Sequence, residues 1–166
     1  HKVKQYIDEL DKEITLFLRN KNLDINKFIK CNKSFSKSEL SLESAKKGFF
    51  TSIRNGFLLF CSKFGISMSP KFHTLFNILQ YCGDAVCTNV VSINLVLKIF
   101  SVVYQYSNVN VEYVKQVIEL YCAFNRDVKH DKLLNILLKQ LENKGTIDGI
   151  PKRSASKKRE LLEYYN

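Results

Sequence analysis

Asn89-Val-Val-Ser-Ile-Asn-Leu-Val-Leu-Lys-Ile-Phe-Ser-Val-Val-Tyr-Gln-Tyr106 is the stretch whose reading decides the fold. Lys98 is its only charge, and apolar residues fall on every side of a helical wheel. A helix of that kind has to be surrounded by protein rather than lie on a surface. Val and Ile are frequent enough that paired strands over 90–104 are the competing reading. The absence of Gly and Pro and the helical spacing of the neighbouring segments favour a helix. The expected fold is all-α: a single-domain bundle of about seven or eight helices around a buried central helix at 89–106.

On either side the segments are amphipathic. Val3, Tyr6, Ile7, Leu10, Ile14, Phe17 and Leu18 recur at steps of three and four over residues 2–20. Asp24 can cap a short helix through Ile25, Phe28 and Ile29, and residues 30–38 read as a loop. A long helix is expected from Ser36 or Ser41 to about Phe64. Its apolar face is Leu42, Ala45, Phe49, Ile53, Phe57, Phe60 and Phe64, and Gly65 is its C-cap. Gly48 and Gly56 weaken that helix unless they let another element come close.

Ser69-Pro70 marks the next start, with Phe72, Leu75, Phe76 and Leu79 facing inward to Gly83; Asp84 can open a further short turn. Asn110 caps a helix carrying Val111, Val114, Val117, Ile118 and Tyr121. Asp127 restarts the chain, and Leu133, Leu134, Leu137, Leu138 and Leu141 form a further apolar face. Residues 1–150 thus read as the helical domain. Residues 151–166 read as a basic tail with a short final helix, capped by Ser156 and docked through Leu161, Leu162 and Tyr165.

The apolar fraction of 45% is ordinary for a globular protein, but a formal charge of +10 is not. The excess lies in residues 1–63 and 126–166, whereas 64–125 is balanced. Such asymmetry points to a polyanionic partner. The richness in Lys, Asn, Ile, Phe and Tyr also matches an A/T-rich coding genome, such as a virus or parasitic microbe has, and that bias raises Lys without selection for binding. Two clusters stand out. One is Lys27, Lys30, Lys33, Lys37, Lys46, Lys47 and Arg54; the other is Lys152, Arg153, Lys157, Lys158 and Arg159. Such side chains neutralise phosphates without reading sequence. Phe28, Phe35, Phe49 and Phe50 interleave the first cluster. Phe28 and Phe49 fall at core positions, which leaves Phe35 and Phe50 as candidates to stack on unpaired bases. The tail also fits a nuclear-import address, a pair of phosphorylatable serines (Ser154, Ser156), or simply the start of a helix.

Catalytic and metal chemistry find little here. Cys82 and Cys87, with His73 upstream, form one loose pair without the second pair a structural zinc site needs. Cys31, Cys61, Cys82, Cys87 and Cys122 are odd in number and lie mostly in apolar runs, which suits reduced thiols inside a cell, in cytoplasm or nucleus (of a host, for a viral protein). His130 sits among charges and is expected at the surface; Asp8/Asp11 and Asp127/Asp131 are expected near helix starts. No glycine-rich phosphate loop is present, and no apolar run reaches the ~20 residues of a membrane span. The expectation is a non-enzymatic protein without cofactor or metal, binding nucleic acid, RNA being one candidate, through phosphate contacts. The alternative is a helical protein–protein interaction module, such as a viral host-interfering or assembly factor. Self-association through the Val3–Phe17 seam is a related option. A hydrophobic central helix enclosed by amphipathic ones is also the general plan of Bcl-2-like viral proteins. That likeness is one of plan alone, since no motif here carries that family's signature.

Overall fold

The computed structural model describes residues 2–21, 37–81, 90–106, 109–124, 128–142 and 154–165. Among them lie seven α-helices and no strand: α1 (Lys2–Lys21), α2 (Lys37–Lys63), α3 (Pro70–Tyr81), α4 (Val90–Tyr106), α5 (Val111–Phe124), α6 (His130–Glu142) and α7 (Ser154–Tyr165). The helices expected around Ile25 and Asp84, and the restart at Asp127, lie outside the described residues.

α4 is the enclosed helix. Ile93, Leu95, Val96, Leu97, Ile99, Phe100, Val102, Val103 and Tyr104 are all buried, on every side of its axis. It packs against α1, α2, α6 and α7. Burying each such side chain is worth about 1.5–3 kcal/mol, so this helix holds much of the fold's stability. Its single charge escapes sideways: the Lys98 ammonium reaches Glu13 of α1 at 2.6 Å, with its stem along the core.

α1 buries Val3, Ile7, Leu10, Ile14 and Phe17 along one stripe, as its spacing predicts. Asp8 and Asp11 are not in its first turn, which carries no acid. Asp11 instead accepts a hydrogen bond from the Ser69 hydroxyl, tying the start of α3 to α1. Lys71 adds a bond to Thr15 at 3.1 Å. Ser69, at the helix start that Ser69-Pro70 marks, therefore turns its hydroxyl across to a neighbouring helix, while its carbonyl accepts from Phe72 N at 3.1 Å.

α2 ends as the sequence suggests. Gly65 has φ +65°, Gly65 N donates to Ser62 O at 3.1 Å, and Ile66 N donates to Cys61 O at 3.1 Å. This is a Schellman cap, which needs the left-handed backbone that glycine adopts without steric cost. Asn110 caps α5 through its side chain, Tyr113 N lying 3.1 Å from Oδ1. Val128 and Leu133 are both buried at the spacing of a hydrophobic staple, which fixes the entry into α6.

The two helical glycines of α2 differ. A Cβ on Gly56 would meet Val103 Cγ1 of α4 at 3.0 Å, so this glycine sets how close α2 and α4 come. A Cβ on Gly48 would meet nothing within 4 Å. Gly48→Ala is expected to stabilise by about 0.4–1 kcal/mol, and Gly56→Leu to destabilise by about 1–3 kcal/mol through overpacking. Chemical denaturation midpoints check both; a shift of the same sign for the two would contradict the close approach at Gly56.

Candidate nucleic-acid interface

The exposed charges are unevenly shared among the helices. On α1, exposed Lys4, Lys12 and Arg19 are balanced by exposed Asp8, Glu9 and Glu13. On α5, Lys115 stands between Glu112 and Glu119. α2 and α6 are different. Lys47 and Lys63 are exposed on α2 and Arg54 half-exposed, with no acid among the described side chains of that helix. Lys129, Lys132 and Lys139 are exposed on or just before α6, against Asp131 alone among its described acids. Lys47 and Arg54, like Lys132 and Lys139, stand two helical turns apart, a rise of about 10 Å. Among the described residues, none of these four cations forms an ion pair.

The sequence-derived cations divide on this structure. Lys47, Arg54 and Arg159 reach solvent, and Lys158 is half-exposed with a partner in the fold. Lys46 does not: it is 5% exposed and also has a partner within the fold. Lys157 is engaged internally, donating to Val109 O at 2.9 Å, lying 3.6 Å from Glu160 and 4.7 Å from the centre of the Tyr104 ring. Lys27, Lys30, Lys33, Lys152 and Arg153 lie outside the described residues, as does the side chain of Lys37. Lys132 and Lys139 on α6 are additions that the clustering of charges along the sequence did not bring out. Their signal was their position opposite Leu133, Leu137 and Leu141.

The aromatic part of the reading changes. Phe50 is 1% exposed and packs edge-on against Phe49 at 4.9 Å and against Phe76 of α3 at 6.3 Å. It cannot stack on a base from there. Phe49 is core as expected, against Tyr121 of α5, and Phe35 lies outside the described residues. Among the described residues, the first cluster therefore offers the exposed Lys47 and half-exposed Arg54 without an exposed aromatic ring beside them.

The other candidate groups have structural settings. His73 is exposed beside Phe72, and His130 is exposed at the start of α6. Cys61 is buried, which pushes its thiol up to about 11 and keeps it protonated and unreactive at neutral pH. Burial also raises the thiol of half-buried Cys122. Among the described residues no group of three or more His, Cys, Asp or Glu side chains is placed to hold a metal, and no helix is long and apolar enough to cross a membrane. Cys31, Cys82 and Cys87 lie outside the described residues.

No protein-family profile, no curated protein and no solved structure matches this chain. Its fold defines it as an all-α helical bundle with two cation-rich helices among those described.

Proposed function

We propose that this protein binds nucleic acid non-sequence-specifically through Lys and Arg contacts to phosphates, and that it has no catalytic step. The observation that carries the reading is the pair of stripes, Lys47/Arg54 on α2 and Lys132/Lys139 on α6, which form no ion pair among the described residues, beside a balanced α1 and an α5 richer in acid. Contacts of such cations to phosphates draw their binding energy largely from counterion release. Backbone contacts of this kind position a duplex or a strand without reading its bases.

Fluorescence-anisotropy titration against single- and double-stranded RNA and DNA at two salt concentrations tests it. Affinity is expected to fall steeply with salt and to vary little with sequence. Replacing Lys47, Arg54, Lys132 and Lys139 by Gln is expected to flatten the slope of log K against log salt by up to about 0.9 per lost contact, with the fold intact. Binding that ignores salt, or no binding at low salt, would remove the proposal.

The interaction-module reading has one feature in its favour. Leu162 and Tyr165, three residues apart on α7, are 41% and 36% exposed instead of docked as the sequence suggested. Leu16 and Leu59, at 55% and 60%, are single exposed leucines, which are ordinary on a protein surface.

A further inference from the structure

α7 is seated by a charged side chain as much as by apolar contact. Leu161 is the one buried residue among its described side chains, and the helix packs on α6, α5 and the end of α4. The Lys157 ammonium enters the corner between Tyr104, near the end of α4, and Val109, just ahead of α5. There it donates to the Val109 carbonyl at 2.9 Å, lies 4.7 Å from the centre of the Tyr104 ring, and stands 3.6 Å from the Glu160 carboxylate one turn on. The Tyr104 hydroxyl returns a long bond, 3.4 Å, to the Lys157 carbonyl. Three partners, the Tyr104 ring of α4, the Val109 carbonyl ahead of α5 and Glu160 of α7 itself, thus converge on one cation. Val109 O lies just ahead of the Asn110 cap of α5, so the ammonium satisfies a carbonyl outside the helix.

We propose that Lys157 is a positioning residue: it latches α7 to the bundle and thereby sets Lys158 and Arg159 in place to meet a polyanion, rather than touching phosphate itself. The proposal rests on the nucleic-acid reading for its purpose and on the corner geometry for its mechanism. Residues two apart on a helix point about 200° from one another. With Lys157 turned into the corner, Arg159 must face away, and it is exposed. The run Lys157-Lys158-Arg159, uniform as sequence, is divided by the fold into an anchor, Lys157, an outward Arg159 and a half-exposed Lys158 between them. Lys158 keeps its own partner in the fold and is half-exposed.

Two measurements on the full chain test this. The first is amide hydrogen exchange over residues 154–165 without nucleic acid. Lys157→Met keeps the stem and removes the charge, and is expected to speed exchange in α7 by about tenfold or more, leaving α2 and α3 unchanged. Lys157→Arg, which keeps a cation over the ring and a donor for Val109 O, is expected to stay within about threefold of the parent. Unchanged α7 exchange in Lys157→Met overturns the latch. The second is the salt slope of binding to a labelled RNA duplex, in the parent and in a Lys158→Gln/Arg159→Gln background. Lys157→Met is expected to weaken binding in the parent and to change neither affinity nor slope in that background. A further loss of slope there means that Lys157 contacts phosphate, and overturns the positioning role. If the parent binds no duplex at any salt while Lys157→Met still frees α7, the nucleic-acid reading fails and the latch stands.

Discussion

Phe100→Ala is expected to cost about 3–5 kcal/mol of folding stability, while Leu59→Ala changes it by less than about 0.5 kcal/mol. Phe100 is wholly buried in α4, 6.5 Å from the Tyr104 ring and 6.0 Å from the Tyr113 ring, centre to centre. Tyr113 is fixed in turn by a hydrogen bond between its hydroxyl and that of Ser52 on α2. Truncation leaves a cavity at a crossing of three helices, where none can move in to fill it without losing contacts of its own. Leu59, 60% exposed on α2, loses almost nothing. Urea denaturation of the two variants beside the parent gives both values. A Phe100→Ala cost below about 1 kcal/mol would mean that the centre of the bundle is not packed as described.

How much of this fold is legible in the sequence depends on how many neighbours an element has. α4 could be read because an apolar residue at every turn of the wheel admits only one environment. α1 could be read because it has a single buried stripe, Val3 to Phe17, against α3 and α4. α2 was read only in part. It packs against α3, α4 and α5, so its buried arc is wider than one stripe. Phe49 turns to Tyr121 of α5, and its neighbour Phe50 turns to Phe76 of α3. A one-stripe reading puts one of the two outside; three neighbours take both in. α7 shows the opposite error. At the edge of the bundle it offers a narrow stripe, Leu161 is taken, and Leu162 and Tyr165 stay in solvent.

Polar residues were harder to place, because their partners are distant along the chain. Nothing local to Ser69 announces Asp11, and nothing local to Lys157 announces Tyr104 or Val109. The charged surface was legible as an excess at the two ends of the chain, not as a set of residues. Which cations serve the surface is decided by the helix each stands on and by the direction it points.

Lys46 and Lys47 give the sharpest case, and the second large expected effect. Sequence makes them equivalent neighbours in one basic cluster. In the fold Lys47 is exposed, whereas Lys46 is buried and held by a partner. Successive helical residues point about 100° apart, and on a helix with three neighbours that rotation carries a side chain from solvent into the interior. Lys47→Glu is therefore expected to alter stability by less than about 0.5 kcal/mol, to reduce polyanion affinity and to flatten its salt slope. Lys46→Glu places a carboxylate where an ammonium was accommodated, and is expected to cost about 3–5 kcal/mol of stability. Any loss of binding it causes then follows the loss of fold. Far-ultraviolet circular dichroism in urea separates the two, because only the Lys46 variant unfolds at lower denaturant. Equal midpoints for the pair would place Lys46 in solvent with Lys47 and return it to the proposed phosphate-binding set.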